Sequence, residues 1–169
     1  MQQMKQALPW FSLACATSVT NMVDLNIRNA DEGDLTFILQ LEASPNGRFV
    51  QGDSHITHQQ QLADPAFRYL IGEHEGERVG YAILVTHADN VMEWRRLMIS
   101  KADGGFGTKF MRETINTVLE GPTETIKLDV YSENERARHI YKKLGFKETH
   151  TAPCPRDNSR TVVFMELAS

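Results

Sequence analysis

Residues 102–107, ADGGFG, form a glycine-rich stretch between an apolar run, RRLMIS, and a segment with helical spacing, KFMRETINTVLE. A turn that opens a helix exposes unpaired backbone N–H groups, and the helix dipole adds partial positive charge there. Such a site binds phosphate. Gly104, Gly105 and Gly107 would let the backbone approach a ligand closely. Taken alone, the stretch fits equally well a tight connector without a ligand.

A second set of residues at fixed spacing stands further along, in LDVYSENERARHIYKKLGF. Tyr141 carries a phenol, which titrates near pH 10 and can donate a proton to a departing thiolate. It also lies on the apolar stripe of its predicted helix, so a core role is the alternative. Asn134 could contact a ligand or cap that helix, and Ser132 with Glu135 also fits a capping box.

Together and in this order, the two stretches resemble the GNAT superfamily of acyl-CoA-dependent N-acetyltransferases. The family's phosphate loop, Arg/Gln-x-x-Gly-x-Gly/Ala, corresponds to residues 102–107. Its later motif, Asn-x-x-Ala-x-x-x-Tyr-x-x-x-Gly-Phe, corresponds without a gap to Asn134 through Phe146. The resemblance covers roughly residues 25–167. Within the superfamily, the sequence resembles bacterial members related to the ribosomal-protein N-terminal acetyltransferases.

The resemblance implies acetyl-CoA as co-substrate. The implied cofactor-binding residues come from the strand before the loop, the loop itself and the later motif: Leu97, Met98, Ile99, Ala102, Asp103, Gly104, Gly105, Phe106, Gly107, Thr108, Asn134, Ala137 and Tyr141. Ala102 replaces the usual Arg or Gln, and Asp103 puts a negative charge beside the expected pyrophosphate. Because backbone N–H groups should supply most of the binding, we expect CoA to bind, less tightly than in a typical relative.

The implied reaction is direct attack of a neutral primary amine on the acetyl thioester in a ternary complex. Tyr141 is implied as the acid for the leaving thiolate, and Glu93 as the base. Regular alternation would put Glu93 on the same face as Leu97 and Ile99, unless a bulge intervenes. The alternative for Glu93 is a surface salt bridge to Arg95 or Arg96. The acceptor is not identified by the sequence, and His55, His58 and His87 are further bases by chemistry alone.

Hydrophobic periodicity predicts the elements that position these residues. The predicted order is β, α, β-hairpin, β, α, β, α, β-hairpin, with a loop over residues 43–60 that leads into a short helix and a helix over residues 132–144. Helices that alternate with strands indicate a layered α/β domain. The resemblance makes this a GNAT fold: a mixed, mostly antiparallel sheet of six to seven strands flanked by about four helices.

The length and composition of the chain limit its possible functions. A chain of 169 residues predicts a single domain over residues 23–169, preceded by an extension over residues 1–22 that partly resembles a signal peptide. A net charge of −4 with scattered Lys and Arg argues against nucleic acid, and two cysteines form no metal-ligand pattern. Since no run of about 18 apolar residues occurs, no membrane span is predicted. We expect a cytoplasmic protein without a metal.

Two other functions compete with N-acetyl transfer. A CoA-binding module without activity would explain Ala102 and Asp103, and a nucleotide-phosphate binder would need no Tyr141. The acceptor site is expected between residues 43–60 and residues 153–160. The apolar end of the last hairpin, TVVFMEL, suggests an edge for pairing with a second chain, which makes a homodimer one expected arrangement.

Overall fold

The computed structural model describes residues 24–100 and 105–168. Four α-helices and seven strands occur in this part of the chain. In chain order they are β1 Asn26–Asn29, α1 Leu35–Glu42, α2 His55–Ala63, β2 Phe67–His74, β3 Glu77–Thr86, β4 Val91–Ile99, α3 Phe106–Leu119, β5 Thr125–Tyr131, α4 Glu135–Lys143, β6 Lys147–Cys154 and β7 Asp157–Ala168. Short 3-10 helices cover Glu32–Asp34 and Pro45–Phe49.

The strands form one sheet in the order β1-β2-β3-β4-β5-β7-β6. Every neighbouring pair is antiparallel except β4 and β5, which are parallel and are joined by the crossover helix α3. A parallel connection of this kind requires a long crossover, which α3 provides. The predicted layered α/β fold, with a mixed and mostly antiparallel sheet, is therefore confirmed.

Helices cover both faces of the sheet. The apolar stripe of α3, with Phe110, Met111 and Ile115, packs on one face, and Ala137 and Tyr141 of α4 pack against the same cluster. The other face is covered by α1, whose inner residues contact side chains of β2, β3 and β4. Its buried cluster is Leu35, Ile38, Leu41, Tyr69, Ile71, Tyr81, Ile83 and Met98. Each face therefore has its own core, and the sheet separates them.

A capping box stands at the 3-10 helix that precedes α1. Asp31 accepts a hydrogen bond from the backbone N–H of Gly33, and Asp34 accepts one from the backbone N–H of Asp31. Arg28 also bonds the Asp34 carboxylate, at 2.7 Å and 2.9 Å. These contacts fix the start of α1 against β1.

Two element boundaries differ from the sequence prediction. The helix predicted over residues 132–144 begins at Glu135, because Asn134 rather than Ser132 is its N-cap. Gly145, at φ +98°, follows its end in the left-handed conformation that is common after helices. The predicted loop over residues 43–60 contains the second 3-10 helix and the start of α2, since Ser54 accepts a hydrogen bond from the N–H of Thr57.

The predicted pairing edge at TVVFMEL is wrong. This segment lies in β7, which hydrogen-bonds β5 on one side and β6 on the other. The free edge on that side of the sheet is β6, a largely exposed and polar strand with the sequence KETHTAPC. The structural reason offered for a homodimer is therefore absent.

No helix in residues 24–100 or 105–168 is long and apolar enough to cross a membrane. The same residues contain no group of three or more His, Cys, Asp or Glu side chains placed to hold a metal ion. The predicted extension over residues 1–22 lies outside the described residues.

Candidate active site

The sheet opens between its two central strands. β4 and β5 pair over only three positions, Val91 with Thr125, Met92 with Ile126 and Glu93 with Lys127. Beyond Glu93 the strands diverge, and a cavity of about 560 Å³ lies between them. In the described part of the chain, the divergent ends of β4 and β5 face this cleft without a strand partner. The cleft lies at the carboxyl ends of parallel strands, the usual position for ligands in α/β sheets.

The start of α3 forms one wall of the cleft, where Gly105, Gly107 and Thr108 line it. Gly105 is the N-cap residue and has a φ of +75°, in the left-handed region that glycine adopts without strain. The first helical hydrogen bond runs from the N–H of Lys109 to the carbonyl of Gly105. The backbone N–H groups of residues 106–108 precede it, so helix geometry leaves them available to an anion.

The structure brings most of the predicted cofactor residues to this cleft. Tyr141 lines the cleft together with eight other residues of the predicted set, which belong to β4 and to the starts of α3 and α4: Leu97, Met98, Ile99, Gly105, Gly107, Thr108, Asn134 and Ala137. Phe106 is buried instead, and its ring packs at a tilt against that of His74, with 4.9 Å between the ring centroids. The predictions for Ala102, Asp103 and Gly104 lie outside the described residues.

The position of Asn134 fits both roles that the sequence left open. Its side-chain oxygen accepts a hydrogen bond of 3.2 Å from the backbone N–H of Ala137, which makes it the N-cap of α4. It also lines the cleft. Ser132 bonds the neighbouring Glu133 instead of capping the helix. The cap thus fixes the end of α4 that faces the cavity.

Tyr141 lies on the inner face of α4 and is half-buried, with its ring 6.0 Å from that of Phe146. Burial, together with the negative charge of Asp129, raises the pKa of the Tyr141 phenol to about 12. The phenol therefore stays protonated at neutral pH, in the state that can donate a proton. Because Tyr141 also lines the cleft, it is in contact with the core and with the cavity.

A β-bulge in β4 changes which residues share a face. Ile83 of β3 pairs with Arg96 and the next residue, Leu84, pairs with Trp94, so Arg95 is the extra residue. The alternation therefore reverses at this point. Leu97 and Ile99 pack towards α3, whereas Glu93 lies on the face covered by α1 and α2. The bulge that the sequence analysis allowed for therefore occurs, and Glu93 does not share a face with Leu97 and Ile99.

Glu93 is held by two basic neighbours at the apex of the cleft. His87 lies 2.7 Å from one carboxylate oxygen, and Arg95 donates to both oxygens at 2.9 Å and 3.0 Å. Burial alone would raise the pKa of Glu93, but the hydrogen bonds from Arg95 and His87 outweigh it and hold the pKa below its ordinary value. Glu93 is thus an ionised carboxylate and a weak proton acceptor.

Asp129 is a second carboxylate at the apex, and the sequence interpretation passed over it. It lies in β5, two residues beyond the last position that pairs with β4, and lines the cleft. Burial, reinforced by the negative charge of Glu93, raises the pKa of Asp129 above its ordinary value. The available signal was an acidic residue inside a short apolar strand, IKLDVY, directly before the Asn134 motif.

Two loops, within residues 43–60 and 153–160, close the other end of the cleft. The Gln51 amide donates to the hydroxyl of Tyr131 at 2.6 Å and to the sulfur of Cys154 at 3.0 Å. Phe49 and Arg156 line the cavity beside them. The segment after the second 3-10 helix is thereby bound to β5 and β6, so both loops face one cavity.

The predicted alternative bases are placed differently. His58 is fully buried on the α2 side, where it contacts Tyr69 at 2.8 Å and Glu42 at 3.3 Å, and it does not line the cleft. His55 begins α2 and does not line the cleft either. Of the three histidines, His87 alone approaches the site, through its contact with Glu93.

Comparison with known proteins agrees with this architecture. Residues 35–146 match the model of the Acetyltransferase (GNAT) family, and the chain belongs to that family. The family prediction is therefore confirmed.

The curated relatives are less informative about the whole chain. An uncharacterized N-acetyltransferase from Mycobacterium bovis is 32% identical over 88 residues, which cover 51% of this chain and 56% of the relative. A protein of the same description from Mycobacterium tuberculosis matches equally. The chain thus spans a little over half the length of the curated relatives it matches.

Solved structures share the fold at low sequence identity. Spermidine N-acetyltransferase from Vibrio cholerae, in complex with CoA and spermine, has a TM-score of 0.72 and 21% identity, covering 85% of this chain and 95% of its own. The ribosomal-protein-S18-alanine N-acetyltransferase from Escherichia coli has a TM-score of 0.71 and 16% identity, covering 86% and 94%. These proteins use different amines on one architecture, so the fold does not identify the acceptor.

Proposed function

We propose that the protein is an N-acetyltransferase that moves an acetyl group from acetyl-CoA to a primary amine by direct attack in a ternary complex. The observation that carries this proposal is the opening between β4 and β5. It has a helix N-terminus at one end, a protonated phenol at Tyr141 and a pair of carboxylates at its apex. The cytoplasmic location expected from the sequence remains a prediction.

The residues of α3 and β4 would hold the cofactor. Backbone N–H groups of residues 106–108 suit the pyrophosphate, because they are unpaired and lie at the positive end of a 14-residue helix. The free side of β4 from Leu97 to Ile99 suits the pantetheine arm, whose amides can pair with it as an added strand would. A backbone N–H in that run would also stabilise the oxyanion of the tetrahedral intermediate.

Proton transfer is assigned to the side chains at the apex. The acceptor ammonium must lose a proton before its nitrogen can attack, and Asp129, with its raised pKa, is the better proton acceptor of the two carboxylates. The N–C bond forms, the C–S bond breaks, and the leaving thiolate takes a proton from Tyr141. Glu93 was predicted as the base; its lowered pKa instead suits it to attract and orient the ammonium.

A calorimetric titration with acetyl-CoA, and with CoA, ADP and ATP in parallel, tests the cofactor assignment. We expect acetyl-CoA and CoA to bind in the micromolar range and ADP and ATP to bind more weakly, since only the first two fill the gap beside β4. A preference for ATP or ADP would replace the proposal with a nucleotide-phosphate binder.

Replacement of Tyr141 by Phe then tests catalysis. The ring and its packing are kept while the donor is removed, so we expect kcat to fall about 10²-fold with the affinity for CoA unchanged. Steady-state acetylation of a panel of amines measures this. Tight CoA binding with no turnover of any amine by the unaltered protein would favour a CoA-binding module without activity.

A further inference from the structure

The half of the cleft away from α3 carries charge in an ordered arrangement. Its two carboxylates, Glu93 and Asp129, lie at the apex, where β4 and β5 separate. No other Asp or Glu among the described residues lines the cavity. Arg95 and Arg96 line the cavity as well, but Arg95 is bonded to Glu93 and Arg96 to Asp53. Arg136 lines it at the start of α4, and Arg156 lines it towards the mouth, in the turn between β6 and β7. Negative charge is therefore confined to the point where the amine would react.

Arg156 retains capacity to bind an anion. Its side chain is 59% exposed, and its guanidinium lies 3.7 Å from Asp53, near the outer limit of an ion pair. Asp53 is already bound more closely by Arg96, at 2.7 Å. Arg156 is thus held near the cavity by a weak contact, which a second anion could replace at small cost.

Two further arginines strengthen the positive field at the same mouth. Arg160 stacks over the ring of Tyr131 at 3.2 Å, and Arg48 lies over the ring of Phe49 at 4.7 Å. Tyr131 and Phe49 both line the cavity. Glu133 offsets part of this charge through an ion pair of 2.6 Å with Arg160, but Glu133 is not itself part of the lining.

We propose, on the basis of the function proposed above, that the acceptor is a primary amine joined to an anionic group, with the ammonium at Asp129 and Glu93 and the anion at Arg156. A carboxylate or a phosphate fits a guanidinium equally well. A polyamine does not fit this arrangement, since each of its ammonium groups needs its own acceptor and the mouth supplies arginine. The carboxylates at the apex and the exposed guanidinium of Arg156 at the mouth thus select the substrate class.

The experiment compares four tripeptide amides, Ala-Glu-Ala, Ala-phosphoserine-Ala, Ala-Gln-Ala and Ala-Lys-Ala, with spermidine as a fifth acceptor. The amine is the same in the four peptides, so kcat/KM reports the neighbouring charge. We expect the two anionic peptides to exceed Ala-Lys-Ala by about fivefold or more, with spermidine the poorest substrate. The order of the glutamate and phosphoserine peptides identifies the preferred anion.

Arg156→Glu should abolish or reverse this preference, whereas Arg156→Lys should keep most of it. Arg112→Glu is the matched control, because Arg112 is exposed on α3 and lies outside the cleft. A preference for Ala-Lys-Ala or spermidine, or a preference that Arg156→Glu leaves intact, overturns the proposal.

A binding measurement separates this inference from the proposed function. The same five ligands are titrated into the CoA-saturated protein. If no amine is acetylated, the proposed function fails, and the affinities still decide the inference: tighter binding of anionic peptides that is lost in Arg156→Glu supports it. Equal affinity for all five ligands overturns it.

Discussion

The two carboxylates at the apex of the cleft differ in proton affinity because their partners differ. Glu93 is bonded by Arg95 and His87, which favour its ionised form. Asp129 has no comparable cationic hydrogen-bond donor among its main influences, and Glu93 repels its charge. Environments that push two neighbouring pKa values apart commonly divide acid–base roles between the two groups.

At the residue scale, we therefore expect Asp129→Asn to lower kcat by about 10²-fold, and Glu93→Gln mainly to raise KM. Asp129 must be unprotonated to accept a proton, so activity should rise with pH through its raised pKa. That acid limb of the kcat profile should disappear in Asp129→Asn. Steady-state kinetics from pH 4 to pH 9 would measure both effects. A larger loss of kcat in Glu93→Gln would return the base role to Glu93.

Sequence reasoning located the residues that belong to contiguous motifs and missed those that depend on pairing across the sheet. Tyr141 and Asn134 stand at fixed spacing on one helix, so the motif alone brings them to the cleft. Asp129 becomes visible only when β5 is known to separate from β4. The face of the sheet on which Glu93 lies depends on the bulge at Arg95. This bulge arises from the register between β4 and β3, which the hydrophobic periodicity of one strand cannot show.

At the element scale, the start of α3 depends on a single backbone conformation. Gly105 has a φ of +75°, and a Cβ there would meet no heavy atom within 4 Å. Gly76, in the turn between β2 and β3, has a φ of +80° and equally open space. Substitution of either glycine therefore introduces the same kind of backbone strain. The two positions differ in that Gly105 sets the start of α3, whereas Gly76 lies in a turn between two strands.

We expect Gly105→Ala to weaken acetyl-CoA binding several-fold, because alanine disfavours positive φ and would turn the first N–H groups of α3 away from the cleft. Gly76→Ala should cost a similar stability, about 1 kcal/mol, without changing the affinity. Calorimetry for affinity and urea denaturation for stability make the comparison. Equal affinities in both variants would mean that the phosphate site lies elsewhere.

Element types were predictable because their apolar periodicities are regular, whereas the start of a helix depends on which side chain caps it. At α4 two candidate N-cap residues, Ser132 and Asn134, compete, and the structure selects Asn134. The order of the strands was not readable, since nothing local shows that β7 inserts between β5 and β6.

At the scale of the whole molecule, buried acids tie the helices to the sheet. Asp34 is fully buried and bonded to Arg28 and Arg78, and Glu42 accepts hydrogen bonds from Tyr81 and Arg96. Hydrogen bonds to Arg28 hold the pKa of Asp34 below its ordinary value. The Glu42 carboxylate also has a lowered pKa, because its partners outweigh the effect of burial.

Carboxylates with lowered pKa values stabilise the fold above their unfolded-state pKa values, near 4, and lose that contribution as the pH falls through the folded-state values. We expect the free energy of unfolding to decrease as the pH falls from 5 towards 2. Asp34→Asn should lower the free energy of unfolding by about 2 kcal/mol at pH 7. This loss is smaller than that expected for a fully buried ion pair, because both arginines remain partly in water. It should also flatten the pH dependence. Urea denaturation across this range tests both, and an unchanged slope in the variant would contradict the assignment.

The short pairing of β4 with β5, over only three positions, also affects the solubility of the protein. Edge strands are templates on which other chains can pair, and folded proteins usually confine them to the rim of a sheet. Here the divergence creates two more such edges in the middle of the molecule, one of them running into the apolar sequence LMI. A bound cofactor arm would occupy that template. The protein without cofactor would then be the form that most readily pairs with a strand of another chain. Bound cofactor would act as a chaperone does, because it would cover the strand edge that otherwise promotes aggregation.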